Sequence, residues 1–236
     1  MRVQIISKVF WAFEYIFFYP RLKRVLNKIK IMGSYDDLDG TTILDVGGHS
    51  GQTINIFKKI FRKSMIYSFE PNPVIFKKLK KLNSKNVICS NVGIGSRVEE
   101  SEFYVSKFSE ASSLRLPSPN SKWNLLKLRV LGLNYSEMYN KIEINLITID
   151  HFMEQNTLSD IFLLKIDVEG SELEVLKGAL GSLSSKKIKF IQLEELRNDS
   201  YEDSFFEIDN LLVSMGMHKL FSIRHPVGNF FEHIYG

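Results

Sequence analysis

The chain has 236 residues, the length of one α/β domain with a short additional segment. Its 44% hydrophobic and 25% charged residues exclude a disordered or fibrous protein, and the single cysteine, Cys89, excludes an internal disulfide and favours a reducing, cytoplasmic compartment. The net charge of +4 is concentrated in residues 1–30, which leaves −2 on the rest, so no nucleic-acid partner is expected.

Residues 1–35 are predicted to form an amino-terminal helical arm. The apolar and aromatic stretch 9–19 covers 11 residues and contains Glu14, which makes it too short to span a membrane. A cleaved secretory signal is not expected, because the basic cluster follows the apolar run.

Two interpretations of this arm remain open. In the first, its aromatic side packs on the body of the protein or on a second subunit, which would make the protein a homodimer. In the second, residues 1–30 make a peripheral contact with the inner face of a membrane. The aromatic side chains would then lie among the lipid headgroups, and the basic residues 21–30 would be attracted to anionic lipid.

Residues 36–236 are predicted to form one α/β domain with a Rossmann-like, doubly wound, mostly parallel sheet, because strand-like and helix-like segments alternate. Residues 106–140 have no steady period and are predicted to be a lid or insertion. The predicted strands are 42–46, 65–69, 86–89, 103–105, 142–147, 161–166 and 188–193, with 218–223 and 229–234 as a final pair. The predicted helices are 52–61, 74–82, 172–180 and 205–213.

Three of the predicted strands end in acidic residues, at Asp45, Asp167 and Glu194. In an open α/β sheet the ligand crevice lies outside the carboxyl ends of the strands. We therefore expect these three carboxylates to converge on one binding site.

The turn after the first strand is rich in glycine, with Gly47, Gly48 and Gly51 before the predicted helix. Glycines leave room for a ligand, and the free N–H groups of a helix start favour a negatively charged group. The dinucleotide fingerprint G-x-G-x-x-G is broken, because His49 and Gln52 stand where its second and third glycines would be. The turn therefore favours a nucleotide-like cofactor other than NAD.

Glu70 ends the second predicted strand, 19 residues after Gly51. An acid at this place in a half-sheet accepts hydrogen bonds from ribose hydroxyls. A tight turn followed by an exposed acid is the structural alternative.

Taken together, these segments resemble the FkbM family of S-adenosylmethionine-dependent methyltransferases over about residues 43–221. The sequence departs from the family at Gly48-His49-Ser50, where alanine and asparagine are more common. The matching segments are 44–51 (LDVGGHSG), 69–73 (FEPNP), 91–93 (NVG), 112–114 (SSL), 148–150 (TID), 164–172 (LKIDVEGSE) and 176–178 (LKG).

The resemblance implies a class I methyltransferase fold with S-adenosylmethionine as the cofactor. It places the methionine end of the cofactor near the glycine turn, the ribose at one acid, and adenine beside a later turn. The residues so implied are Asp45, Gly47, Gly48 and Gly51 for the methionine end, Glu70 for the ribose, Asn91 and Val92 for adenine, and Ser112 and Ser113 near the site.

Methyl transfer to a hydroxyl needs alignment of the acceptor and a group that removes its proton. Asp167 is the first candidate for this base, followed by Glu169, Glu194 and His49. The alternatives are structural: Glu169 and Glu172 satisfying N–H groups at a helix start, His49 holding the turn, and Glu194 pairing with Lys165. No resident metal is expected, because neighbouring histidine and cysteine ligands are missing, although Asp167 and Glu194 offer oxygen ligands of the kind that magnesium binds.

The function that the resemblance implies is O-methylation of a hydroxyl on a small molecule or glycan: a glycan, a lipid-linked sugar or a secondary metabolite. The first alternative is a catalytically silent protein that retains the fold and docks on a membrane or a partner. The second is a nicotinamide-dependent oxidoreductase, which the broken fingerprint disfavours.

Overall fold

The computed structural model describes residues 13–33, 40–196, 201, 205–226 and 229–236. Residues 1–12 of the predicted arm lie outside the described residues. The predicted boundary between arm and domain, at residues 35 and 36, lies outside them as well.

Within the described residues, seven strands form one sheet in the order β3-β2-β1-β7-β8-β10-β9, and three more form a small sheet in the order β4-β6-β5. In the large sheet β10 is antiparallel to both neighbours, and the other pairs are parallel. The strands are β1 (Thr42–Val46), β2 (Met65–Phe69), β3 (Val87–Ser90), β4 (Gly93–Ile94), β5 (Glu99–Ser106), β6 (Tyr139–Ile147), β7 (Ile161–Ile166), β8 (Ile188–Leu196), β9 (Lys219–Arg224) and β10 (Phe230–Tyr235).

Helices cover both faces of this sheet, which confirms the predicted doubly wound α/β fold. A π-helical turn, Glu14–Phe18, precedes the first helix. The helices are α1 (Tyr19–Met32), α2 (Gln52–Ile60), α3 (Pro73–Leu79), α4 (Lys122–Leu131), α5 (Tyr135–Met138), α6 (Ile149–Gln155), α7 (Glu172–Lys177), α8 (Leu180–Ser184) and α9 (Phe205–Ser214).

The core is divided between the two faces of the sheet. On one face α1 and α2 bury Leu26 and Phe57 against Phe162, and on the other α7 and α9 bury Leu176 and Leu212. Strands β1 and β7 are buried at every position, because both of their faces are covered. This explains why both are mostly apolar, with Asp45 in β1 and Lys165 in β7 as the buried charges.

The described part of the arm packs on the body of the protein. Leu22, Leu26 and Ile29 of α1 are buried, whereas Arg21 and Lys23 are exposed. The arm packs here through aliphatic side chains and Phe18, whereas Phe13, Tyr15 and Phe17 of its aromatic stretch are exposed, so the role of that stretch stays a prediction. None of the described helices combines the length and hydrophobicity that a membrane crossing would need.

The prediction of one helix over residues 172–180 was wrong. Helix α7 ends at Lys177, and α8 begins at Leu180. A Cβ atom at Gly178 would lie 2.1 Å from the carbonyl oxygen of Gly95, so the chain passes directly against another backbone there. This close approach, which is remote in sequence, separates the two helices.

The prediction that a strand ends before Glu194 was also wrong. Strand β8 continues to Leu196, because β10 pairs with it along its whole carboxyl half, placing Glu232 opposite Glu194 and Phe230 opposite Leu196. Glu194 therefore lies within a strand.

The insertion at 106–140 contains helices that its aperiodic sequence did not predict. Helix α4 begins after Ser121, whose Oγ accepts a hydrogen bond from the N–H of Asn124 at 2.9 Å. Leu128 and Leu131 of α4 form a small cluster of their own with Met138, apart from the main core. The outer side of α4 carries exposed apolar residues, which obscured its helical period.

Candidate active site

A cavity of about 600 Å³ opens at the carboxyl ends of β1 and β7. These two strands are neighbours in the sheet, but the chain continues from β1 towards one edge and from β7 towards the other. Such a topological switch point leaves a crevice between the two departing connections. The cavity has the size of a small-molecule site.

The glycine turn after β1 forms part of the cavity wall. Gly47 has φ +81°, and a Cβ atom there would lie 1.8 Å from the carbonyl oxygen of Asp167. A Cβ at Gly48 would lie 2.0 Å from Ser68 Oγ. The N–H groups of both glycines donate to the carbonyl oxygen of Phe69. Only glycine permits the ends of three strands to approach this closely.

Glu70 follows β2 and lines the cavity from the opposite side of the turn. Its Oε2 accepts a hydrogen bond from the N–H of His49 at 3.0 Å, and its Oε1 accepts one from the N–H of Asn72 at 2.8 Å. Burial raises the pKa of Glu70 to about 7 against the opposing effect of these hydrogen bonds, and the charge of Asp45 adds to the increase. Each oxygen keeps a lone pair for a hydroxyl donor.

Five of the nine predicted cofactor residues line the cavity, and the other four lie behind its walls. The lining residues are Gly47, Gly48, Glu70, Val92 and Ser112. The residues behind the walls are Asp45, Gly51, Asn91 and Ser113.

Asp45 lies in a buried ion-pair network beneath the glycine turn. It accepts a hydrogen bond from Ser68 Oγ at 2.7 Å, and its Oδ1 lies 3.4 Å from Lys165 Nζ. The same Nζ lies 3.1 Å from Asp167 Oδ2. Lys165 therefore pairs with these two aspartates, and the hypothesis that it pairs with Glu194 was wrong.

Gly51 and Asn91 also shape the wall without facing the cavity. Gly51, at φ +87°, begins α2, and a Cβ there would lie 2.1 Å from Leu82. Asn91 Nδ2 donates to the carbonyl oxygens of Glu70 and Pro71 at 2.8 and 2.9 Å. Asn91 therefore holds the backbone that carries Glu70.

Ser113 holds the turn that follows β7. Its Oγ donates a hydrogen bond to the carbonyl oxygen of Glu169 at 2.7 Å. Glu169 and Gly170 both have positive φ, +55° and +95°. This strained turn directs Glu169 to the cavity. The N–H groups of Val168 and Gly170 instead donate hydrogen bonds to Glu172 Oε1.

All four candidate catalytic residues line the cavity. One ligand oxygen of each of Asp167, Glu169 and Glu194 lies within 4.8 Å of the others. Burial, followed by the charges of Asp167 and Glu169, raises the pKa of Glu194 well above its ordinary value. His49 makes a separate contact, with its Nε2 3.0 Å from Ser109 Oγ.

The structure also brings into the cavity four polar residues that no sequence motif had indicated: Lys127, Gln192, Tyr201 and Glu232. Glu232 arrives through the pairing of β10 with β8, and Lys127 through the insertion helix α4. No local motif surrounds either residue. Their positions depend on contacts that are distant along the chain.

Comparison with known sequences decides the family. Residues 45–219 match the family described as the Methyltransferase FkbM domain. The match covers most of the chain, including the glycine turn and the acids that follow β7.

The chain belongs to this FkbM methyltransferase family.

The match shows a methyltransferase domain, as the sequence predicted, and S-adenosylmethionine is the methyl donor that the resemblance implies for it. The site fits this donor, because the glycine turn and Glu70 border one cavity with an acidic end. A curated relative, Methyltransferase 1 of Beauveria bassiana (strain ARSEF 2860), is 24% identical over 148 residues. The match covers 59% of this chain and 59% of that relative.

Solved structures with similar backbones include two methyltransferase-fold proteins. One is the magnesium protoporphyrin IX methyltransferase of Synechocystis PCC 6803 with bound S-adenosylmethionine, at 8% identity and a TM-score of 0.47, covering 100% of this chain and 95% of that one. The other is the fibrillarin of Aeropyrum pernix, at 13% identity and a TM-score of 0.45, covering 84% of this chain and 67% of that one.

Proposed function

We propose that the protein transfers a methyl group from S-adenosylmethionine to a hydroxyl oxygen of a glycan, a lipid-linked sugar or a secondary metabolite. The observation that supports O-methylation is the group of three carboxylates, Asp167, Glu169 and Glu194, in the same cavity as the glycine turn and Glu70. A hydroxyl acceptor needs a nearby group that accepts its proton, and carboxylates supply it.

When bound, S-adenosylmethionine supplies an electrophilic methyl group. The residues of the chain align the acceptor and take up the hydroxyl proton as the bond from oxygen to carbon forms. The electrons of the broken carbon–sulfur bond stay on sulfur, so one proton and one neutral thioether are produced. Alignment contributes on the order of 7–11 kcal/mol to such a reaction.

Asp167 is the best placed proton acceptor. Its side chain is 38% exposed, and Lys165 Nζ fixes its Oδ2 at 3.1 Å. Burial, followed by the charges of Asp167 and Glu169, raises the pKa of Glu194 well above its ordinary value, so Glu194 holds a proton more firmly than an ordinary glutamic acid. The two acids therefore suit different roles.

The apolar part of the cavity supports an acceptor with an apolar portion. Phe13 and Phe18 of the arm line it on one side, and Leu126 and Val130 of α4 line it on another. Phe13, Leu126 and Val130 are also about half exposed. A polar head near the carboxylates and an apolar tail leaving between α1 and α4 would match this distribution, as in a lipid-linked sugar.

We also propose that the protein is cytoplasmic and makes a peripheral contact with the inner face of a membrane through residues 1–30. Tyr15, Ile16 and Phe17 are exposed, and Arg21 and Lys23 lie exposed just after them. Aromatic and basic residues in this order suit an interface with anionic lipid. Cys89, a buried free cysteine, is compatible with a reducing compartment.

Vesicle flotation tests the membrane contact. Deletion of the whole arm is unsuitable, because Leu22, Leu26 and Ile29 belong to the core. The double variant Ile16→Ser/Phe17→Ser should lose flotation with anionic vesicles, whereas the control Val74→Ser, which changes an exposed residue of α3, should keep it. Equal flotation of both variants would contradict the proposal.

Donor binding and turnover test the main proposal. A ligand at about 100 times its Kd adds roughly 2.7 kcal/mol to stability. S-adenosylmethionine and S-adenosylhomocysteine should raise the melting temperature, and NAD should not. Radiolabelled methyl transfer to glycans, lipid-linked sugars and hydroxylated metabolites then separates an enzyme from a silent protein. Calorimetry without heat from either sulfur compound would overturn the proposal.

A further inference from the structure

Asp167 and Glu169 follow the end of β7, Glu194 lies within β8, and the three carboxylates converge on one side of the cavity. We propose that these three carboxylates bind one divalent cation of the magnesium or manganese class, which in turn holds the acceptor hydroxyl. This inference rests on the proposed function and adds a cation site to it. It also revises the sequence-based expectation that the protein has no resident metal, which rested on missing histidine and cysteine ligands.

The spacing suits one calcium-sized ion as it stands, and magnesium would need the three oxygens to move closer together. The three ligand oxygens all lie within 4.8 Å of one another. Two oxygens on opposite sides of one ion are separated by about 4.2 Å for magnesium and about 4.6–5.2 Å for calcium, twice the metal–oxygen distance. All three residues are half-buried and line the cavity, so an ion between them keeps open positions for water or an acceptor.

A second observation, the buried carboxyl of Glu232, also indicates a ligand beside these carboxylates. Glu232 is 5% exposed, lines the same cavity, and lies opposite Glu194 in the register of β10 and β8. Paired residues of antiparallel strands point to the same face of the sheet, so Glu232 is directed to the side of Glu194. Its Oε2 has no hydrogen-bond partner among the described residues.

Gln192, on the same strand as Glu194, carries a second buried oxygen without a hydrogen-bond partner. It precedes Glu194 by two residues on β8, so both point to the same face, and it is 1% exposed. Its Oε1 also has no partner among the described residues. Gln192 Oε1 is an acceptor, and so is Glu232 Oε2 when its carboxyl is ionised, so both suit a ligand with positive charge or hydrogen-bond donors.

The charges around the cluster favour a cation over a neutral donor. Lys165 is already held between Asp45 and Asp167. Within the described chain Lys127 of α4 also acts on Glu169 and Glu194, where burial lowers its pKa against their attraction. Among the described residues that line this end of the cavity, the acids Glu169, Glu194 and Glu232 outnumber the basic groups Lys127 and His225, so the ionised acids favour a cation there.

An ion at this place would serve O-methylation directly. A divalent cation that coordinates a hydroxyl lowers the pKa of that hydroxyl and orients it. Two adjacent hydroxyls of a sugar or a related polyol could coordinate together. The acceptor class that the site suits is therefore a molecule with neighbouring hydroxyls at its polar end.

Manganese titration of the full chain tests the site without any acceptor. After chelator treatment, electron paramagnetic resonance of free Mn²⁺ should show one bound ion per chain. Glu194→Gln and Glu169→Gln should each weaken binding at least tenfold, and the control Glu154→Gln, on the exposed side of α6, should leave it unchanged.

Binding of S-adenosylmethionine, measured by calorimetry on the same samples, separates this inference from the proposed function. Heat from the donor combined with no bound Mn²⁺, or with equal Mn²⁺ affinity in all variants, would overturn the cation site alone. No heat from the donor would overturn the proposed function, and the Mn²⁺ counts would still decide the site. Thermal melting checks that the variants fold, and Glu169→Gln, in a turn outside the sheet, decides the question if Glu194→Gln does not.

Discussion

The Nζ of Lys165 lies 3.1 Å from the Oδ2 of Asp167, two residues further along the chain, where β7 ends. Burial alone would lower the pKa of this lysine, but the charges of Asp167 and Asp45 outweigh burial and raise the pKa above its ordinary value. The ammonium therefore stays charged inside the protein. It holds the proposed base in place and neutralises Asp45 beneath the glycine turn.

Replacement of this lysine should be strongly destabilising. Lys165→Met leaves Asp45 buried without its counter-ion, and removal of one partner from a buried pair costs about 3–5 kcal/mol. Urea denaturation measures the loss, with the exposed Lys187→Met as the matched control. A Lys165→Met variant as stable as the parent protein would show that Asp45 carries no charge in the folded state.

Asp167→Asn tests the proposed base. We expect affinity for S-adenosylmethionine to change by no more than a few-fold, because Asp167 is assigned to the acceptor and not to the donor. Turnover should fall by about 10²–10⁴, the usual contribution of a general base. Calorimetry and single-turnover methyl transfer measure the two quantities, with the exposed Asp160→Asn as control. Full turnover would assign the role to Glu169, Glu194 or His49.

Gly47→Ala and Gly40→Ala separate backbone strain from steric overlap. The two glycines have nearly the same φ, +81° and +80°, but a Cβ at Gly40 meets nothing within 4 Å. Gly40→Ala should cost about 1–2 kcal/mol for the left-handed conformation alone. Gly47→Ala should cost roughly 1–3 kcal/mol more, because its Cβ overlaps the carbonyl oxygen of Asp167. Equal melting temperatures would contradict the close approach of β1 and β7.

Acid pH should stabilise the ligand-free protein. Burial raises the pKa of Glu70, Glu172 and Glu232 from 4.5 to about 7, so between these values the folded state binds more protons than the unfolded state. Their contribution to stability is complete below pH 4.5 and is lost as the pH rises through 7. Each unit of pKa shift corresponds to about 1.4 kcal/mol.

The melting temperature, measured without ligand from pH 5 to pH 8, checks this expectation. It should fall as the pH rises, and Glu232→Gln should flatten the curve, because the variant removes one of the three titrating groups. Glu207→Gln, which changes an exposed residue of α9, should leave the slope as it is. A melting temperature that increases up to pH 8 in the parent protein would contradict the raised pKa values.

The sheet could be predicted from the sequence where strands are buried on both faces. The predicted bounds 161–166 and 42–46 agree with β7 and β1, which are buried at every position, and 65–69 agrees with the partly buried β2, because each is a mostly apolar segment that ends at a turn. Prediction failed where a remote contact decided the structure. The helix break at Gly178 follows from Gly95, and the length of β8 follows from β10.

For the site, the sequence by itself determined the glycine turn, Glu70 and the acids of residues 167–170 (DVEG). These residues lie at strand ends, and a parallel sheet brings its strand ends to one edge. Only the tertiary structure decided that Lys165 joins Asp45 to Asp167 and that Glu232 and Lys127 face the same cavity. The reason is physical. Position along a strand fixes the edge at which a residue lies, whereas the partner of a buried charge depends on which distant segment packs against it.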